Sequence, residues 1–239
     1  MHFLRRLGQI IYSVYAFLFL LGAILICFPF ILVSVFLSNK KRGDFLYGLG
    51  AIVMDIAFLL WGIREKISFE APHDSSKPLI FVFNHISYFD ALILVKALRN
   101  QSFRGLGKAE MGSIPLFGYI YRNAVIMVKR SDSADRARSV ADMKAAIQSG
   151  ISIALAPEGT FNTTTKPLLP FYDGAFKIAI ETQTSIKPML MLDAFDRYHY
   201  DDLLSLTPGK SRVVFLKEIE VAGLEMKDVP MLKKKVYNQ

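Results

Sequence analysis

Leu79-Ile80-Phe81-Val82-Phe83 runs without a break into Asn84-His85-Ile86-Ser87-Tyr88-Phe89-Asp90 and then into Ala91-Leu92-Ile93-Leu94-Val95-Lys96-Ala97-Leu98-Arg99. The first five residues form an unbroken apolar run of strand length, and the last nine suit a helix. A strand that is apolar at every position is buried on both faces, as in a parallel sheet. The same alternation continues down the chain. Ala124 to Val128 reads as a strand. Ser133 to Ser149 reads as an amphipathic helix with Val140, Met143, Ala146 and Ile147 on one face and Gly150 as its stop signal. Ile151 to Ala156 is the next strand and Ala175 to Gln183 the next helix; Pro188 to Leu192 and Arg212 to Leu216 are further strands, and Asp228 to Tyr237 a last helix. Strands alternating with helices predict an α/β fold, a largely parallel sheet flanked by helices.

Upstream the composition changes. Residues Leu7 to Asn39 contain no charge at all, and a second apolar stretch, Phe45 to Gly62, carries only Asp55. These two stretches lift the hydrophobic share to 52% and the mean hydropathy to +0.32. A signal peptide has an apolar core of only about 7–15 residues, so the reading here is a retained anchor. A straight helix over the first stretch would measure about 50 Å, against a hydrocarbon core of about 30 Å. Pro29 is expected to break it by removing a backbone donor.

Asp55 would cost about 2.5–3.5 kcal/mol at a bilayer centre. Basic residues sit before, between and after the two stretches: Arg5 and Arg6, Lys40 to Arg42, and Arg64 with Lys66. Two full spans would put the middle cluster on the side that normally lacks such charge. A membrane-embedded helical hairpin entering one leaflet keeps all three on the cytoplasmic face. The expected division is therefore an anchor over residues 1–65 and a second domain over 66–239. Glu70 to Lys77, with Pro72 and two serines, is the natural joint.

Lysine and arginine outnumber aspartate and glutamate by 29 to 21, a net charge of +8. Beside long apolar stretches this excess points to an anionic membrane surface, where each basic residue gains about 1 kcal/mol. No nucleic-acid motif accompanies it, and no nucleic-acid partner is expected. Cys27 is the only cysteine, which excludes an intrachain disulfide. His2, His73, His85 and His199 lack metal-ligand spacing, so no metal is expected.

The segment Asn84 to Asp90 lies where a strand gives way to a helix, and ligands of α/β sheets bind at such carboxyl ends. A histidine there can take a proton from a hydroxyl, and a carboxylate beside it would orient the ring and stabilise the imidazolium. On a regular helix residues five apart differ by about 140°. His85 and Asp90 can meet only if the chain turns between them. A second reading of the same residues is purely local: Ser87 and Asp90 fit a capping box. Both can hold at once, since a capped turn would fix the pair.

Further along, the strand Ile151 to Ala156 opens into Pro157-Glu158-Gly159-Thr160-Phe161. Here a glycine permits close approach to a ligand and Thr160 offers a hydroxyl. Between the two segments lies Lys108-Ala109-Glu110-Met111-Gly112-Ser113-Ile114-Pro115-Leu116-Phe117-Gly118, followed by a strand that ends at Arg130. An arginine there could bind phosphate through two parallel bonds.

Taken in order, these segments resemble the glycerolipid acyltransferase family that includes 1-acylglycerol-3-phosphate acyltransferases. NHISYFD matches the family's first block, KAEMGSIPLFG with Arg130 resembles the second, PEGT the third, and Ile186-Lys187-Pro188-Met189-Leu190-Met191-Leu192 the fourth. The resemblance spans about Leu79 to Leu192. It implies transfer of a fatty acyl group from an acyl-CoA or acyl-carrier-protein thioester to a lysolipid hydroxyl, with no bound cofactor. His85 would be the base and Asp90 its partner. Asn84, Lys108, Arg130, Glu158, Gly159 and Thr160 would contact the substrate. No G-x-S-x-G elbow is present, and Cys27 lies in the apolar stretch, so direct attack suffices.

Three departures bear on the acceptor's head group. Phe161 stands where the family usually has arginine, Lys129 where it is often acidic, and Asn123 in a region where a glycine is common. An acyltransferase or transacylase for another lysolipid is one alternative reading. A non-catalytic lipid or acyl-thioester carrier is another.

Overall fold

The computed structural model describes residues 2–239. Helix α1 (His2–Val33) and helix α2 (Asn39–Leu60) form an antiparallel pair, followed by β1 (Ile63–Phe69), β2 (Ile80–Phe83), α3 (Phe89–Ala97) and β3 (Phe103–Lys108). Then come α4 (Phe117–Ala124), β4 (Val125–Val128), α5 (Ser133–Gln148), β5 (Ser152–Leu155) and α6 (Gly174–Thr182). The chain closes with β6 (Ile186–Met191), the short α7 (Ala194–Arg197), β7 (Gly209–Phe215) and α8 (Val229–Tyr237).

The seven strands form one sheet in the order β1-β7-β6-β2-β5-β3-β4. From β6 to β4 every neighbouring pair is parallel; β7 runs antiparallel to β6 and carries β1 parallel to itself. The expected α/β architecture is what the chain adopts. The pleat sends Ile80 and Val82 into a core beneath α5, α6 and α8, and Phe81 and Phe83 into a second core beneath α2 and α3. That two-sided burial is why β2 is apolar at every position.

Two strands escape the sequence pattern. β3 contains Arg104, Gly105 and Gly107, and β1 carries three consecutive charges, Arg64-Glu65-Lys66, between Ile63 and Ile67. β1 holds Ile63 to Glu65 in the sheet through pairing with Gly209 to Ser211. The sheet thus reaches back across the boundary expected at residue 65, and Glu70 to Lys77 is a loop within it.

The hairpin differs in its corner. α1 runs through Pro29 unbroken, about 48 Å at 1.5 Å per residue. The chain turns instead at Ser34–Phe36. Arg42 holds that turn: its guanidinium donates to the carbonyls of Ser34 (3.1 Å), Val35 (2.9 Å) and Leu37 (3.0 Å). These carbonyls lie in the turn just past the end of α1, where the backbone acceptors have few partners within the helix. Lys40 to Arg42 are therefore the first turn of α2 rather than a loop.

Although α2 is apolar, it is a layer of the domain. Gly43, Leu46, Ala51, Met54, Ala57 and Phe58 are buried in a stripe of helical period. The missing side chain at Gly43 leaves room for the Arg104 guanidinium, which donates to Asp44 Oδ1 (2.9 Å) and the Lys40 carbonyl (2.8 Å). Asp55 pairs with Lys96 (3.1 Å) and Arg99 of the neighbouring helical segment, so the charge in the second apolar stretch faces the domain. α1 lies outside α2 and is mostly exposed. Its first half is tied to the loop after α7 by Arg6 to Asp202 (2.7 Å) and Gln9 to the Ser205 carbonyl (2.8 Å).

Candidate active site

Because β6, β2, β5, β3 and β4 are parallel, their carboxyl ends share one edge, where five connecting loops converge. β2 ends at Phe83, and Asn84 continues its pairing through a side chain. The Asn84 amide donates to the Met191 carbonyl (3.1 Å) and accepts from the Met191 amide (2.8 Å). Both ends of that side chain thus meet β6, so Asn84 anchors the strand end.

At His85 the chain turns. Nδ1 lies 2.8 Å from Asp90 Oδ2, and the same oxygen accepts the backbone amides of Ile86 (2.9 Å) and Ser87 (3.0 Å). Asp90 is buried. Burial pushes its carboxyl above the usual range, while His85 and the two amides pull it down. Its other oxygen is buried with no donor among the described residues. The Ser87 hydroxyl accepts from the Phe89 amide (2.9 Å) and donates to the Tyr198 carbonyl. The reciprocal capping box of Ser87 and Asp90 does not form, because the Ser87 hydroxyl takes the Phe89 amide; the Ile86 and Ser87 amides instead hold the carboxylate against the imidazole. With Nδ1–H on Asp90, Nε2 is the free basic nitrogen.

The Pro157–Phe161 turn is stitched to His85 twice. Glu158 is buried, with Oε1 accepting the His85 amide (3.0 Å) and Oε2 the Leu169 amide (2.8 Å). Burial raises its pKa; the two amides oppose the rise. Both oxygens accept from backbone amides, so Glu158 braces the site. The second stitch is the Asn162 amide, which donates to the His85 carbonyl (2.7 Å). Gly159 sits at φ +68°, a conformation other residues rarely adopt.

Arg130 follows β4, the outermost strand, yet its guanidinium reaches across the end of β3 to donate to the Gly159 carbonyl. Lys108 ends β3 opposite Val128 and is exposed, and Thr160 is exposed beside Gly159. Arg130, Gly159 and Thr160 therefore stand together, and Lys108 comes off the same edge of the sheet.

The sequence reading missed an aromatic wall. The Phe161 ring lies 4.2 Å from the His85 ring and 4.9 Å from Tyr88; Tyr200 stacks on Phe161 at 6.3 Å, and Tyr198 lies 5.8 Å from Tyr88. Tyr198 and Tyr200 come from the loop after α7, which carries no motif. Only the contacts of the fold could reveal them.

With the site in view, residues 64–192 match the family described as Acyltransferase, from β1 to the residue after β6. The chain belongs to the acyltransferase family. Among its relatives is human 1-acyl-sn-glycerol-3-phosphate acyltransferase beta, 28% identical over 174 residues, 72% of this chain and 62% of that protein. The Helicobacter pylori 1-acyl-sn-glycerol-3-phosphate acyltransferase is 28% identical over 162 residues, 67% of this chain and 66% of that protein. The chain spans about three-fifths of the length of the mammalian relatives it matches. In fold, this acyltransferase is similar to the 1-acyl-sn-glycerophosphate acyltransferase PlsC of Thermotoga maritima. That crystal structure superposes with a TM-score of 0.77 at 20% identity, covering 100% of this chain and 94% of the other.

Proposed function

We propose that this acyltransferase moves a fatty acyl group from an acyl-CoA or acyl-carrier-protein thioester to the free hydroxyl of 1-acylglycerol-3-phosphate, giving phosphatidic acid. The observation that carries the reading is the His85–Asp90 pair, 2.8 Å apart at the carboxyl edge of the sheet with Nε2 left free. The acceptor hydroxyl passes its proton to Nε2 as its oxygen attacks the thioester carbonyl. Asp90 stabilises the imidazolium so formed. The C–S bond then breaks, and Nε2 passes the proton to the departing sulfur, which leaves as the free thiol and returns His85 to its neutral form. Arg130, with Lys108 and Thr160 nearby, holds the phosphate of the acceptor.

The hairpin supports a seat in one leaflet on the cytoplasmic face. α2 is docked on the domain, and α1 is paired with it and tied at its first half to Asp202 and Ser205. Neither helix can cross a bilayer without leaving those contacts. The outward side of α1 exposes Leu18, Leu25, Ile26 and, at the corner, Phe36, which suits burial in the headgroup–acyl boundary. The active site then lies where acceptor and product reside.

The test is to incubate detergent-solubilised protein with lysophosphatidic acid and labelled acyl-CoA or acyl-carrier protein. Phosphatidic acid should form, and His85→Ala should abolish it. Full activity in His85→Ala would sink the mechanism. One observation favours a second reading of the acceptor: Phe161 is apolar where the resembled family usually supplies a second cation. A panel of lysolipids assayed alongside separates the two readings.

A further inference from the structure

We infer that Phe161 is a positioning residue for the general base, holding the His85 imidazole on Asp90 and stabilising the imidazolium through its aromatic face. This rests on the acyl-transfer reading. Two stitches flank the residue: Glu158 holds the His85 amide and the Asn162 amide holds the His85 carbonyl. Asn162 is itself buried, with Oδ1 accepting from Thr164 N (3.0 Å) and Nδ2 donating to the Lys166 carbonyl (2.8 Å). The backbone at 161 therefore has little freedom. It delivers the phenyl ring to 4.2 Å from the imidazole centroid at an interplanar angle of 47°. Phe83 meets the imidazole nearly edge-on at 6.1 Å, while Tyr88 and Tyr200 pack against Phe161 at 4.9 and 6.3 Å. One hydrogen bond to Asp90 fixes one nitrogen; the ring contacts fix the plane.

The charge argument follows from the chemistry. Imidazole is neutral when the acceptor binds and cationic once it has taken the hydroxyl proton. An aromatic face within about 6 Å of a cation attracts it, so the contact strengthens as the reaction proceeds and acts on kcat rather than KM. An arginine in this position would instead set a fixed positive charge beside the forming imidazolium.

The test is steady-state kinetics with lysophosphatidic acid and an acyl thioester. Phe161→Leu should lower kcat about 2- to 30-fold, with KM for the acceptor within about twofold. Phe161→Tyr, which keeps the face, should restore kcat, and Phe161→Arg should fall below Phe161→Leu. Fluorinated phenylalanines at 161 keep the shape while weakening the face, so kcat should decline stepwise with fluorination. A purely structural ring would leave that series flat. A flat series, or an effect confined to KM, overturns the inference. Full activity in His85→Ala would overturn the acyl-transfer reading itself, which separates the two failures.

Discussion

Glu158 and His85 are joined through the backbone: Glu158 Oε1 accepts the His85 amide at 3.0 Å, while its other oxygen takes the Leu169 amide at 2.8 Å. A single buried carboxylate thus ties the loop after β2 to the loop after β5. Its deletion leaves two half-buried amides without acceptors, each costing up to about 1–3 kcal/mol. Glu158→Ala is expected to lose that stability and most activity together, because the His85 turn relaxes. Thermal melting and acyl transfer measured on the same preparation check this. Wild-type melting with lost activity would instead mean that Glu158 touches the substrate.

The same residue gives a pH signature. Burial holds the folded pKa of Glu158 above its ordinary value. The folded state then binds the proton more tightly than the unfolded state, so this stabilising contribution is present in acid. It is lost as pH rises from the ordinary carboxylate range through the folded value. Glu158→Gln cannot titrate. The melting temperature of the wild type minus that of Glu158→Gln should therefore shrink from about pH 4 towards pH 7. A gap that widens over that range reverses the sign and refutes the assignment.

Asp90 carries charge as well as geometry. In Asp90→Asn the remaining carbonyl can still accept the Ile86 and Ser87 amides, which keeps the turn. It cannot stabilise an imidazolium. By analogy with the same change in serine-protease triads, kcat should drop on the order of 10³- to 10⁴-fold. Melting temperature should move little. A variant with near-normal kcat would reduce Asp90 to a helix cap.

Much of this could be read in the sequence, for definite reasons. β2 and most of β5 and β6 are apolar because both faces are buried, so they stand out; β1 and β3 carry Arg64, Glu65, Lys66 and Arg104, and they do not. His85, Asp90 and the Pro157–Thr160 turn lie in short local segments at strand ends, which a linear reading can find. The bracing bonds of Asn84 and Glu158 are not legible in the sequence, because their partners, Met191 and Leu169, are distant in sequence or in an unpatterned loop. Pro29 was expected to end α1. The turn is made five residues later by Arg42, a tertiary cap invisible to local propensity.

Arg130 reaches the Gly159 carbonyl from the far edge strand, at a surface where an anionic head group can displace that contact. Arg130→Ala should raise KM for lysophosphatidic acid on the order of 10- to 100-fold, since a bond to a charged group is worth about 1.5–3 kcal/mol. kcat should change little. Arg130→Lys should recover only part, because a point charge lacks the two parallel donors. An equal loss for a lysolipid without a phosphate monoester would argue that Arg130 shapes the Gly159 turn instead.

The outward side of α1 sets the last expectation. Ile26 is 76% exposed and Phe36 86%. Burial of one such side chain stabilises association by about 1.5–3 kcal/mol. Ile26→Glu with Phe36→Glu should therefore weaken binding to anionic vesicles by at least about 100-fold. The anchoring contacts of Arg6, Gln9 and Arg42 are untouched by the change, so melting in detergent should match the wild type. Acylation of a detergent-dispersed acceptor should persist while acylation of vesicle-borne acceptor falls. Vesicle flotation and the two assays together decide the matter, and unchanged flotation would mean that another surface meets the bilayer.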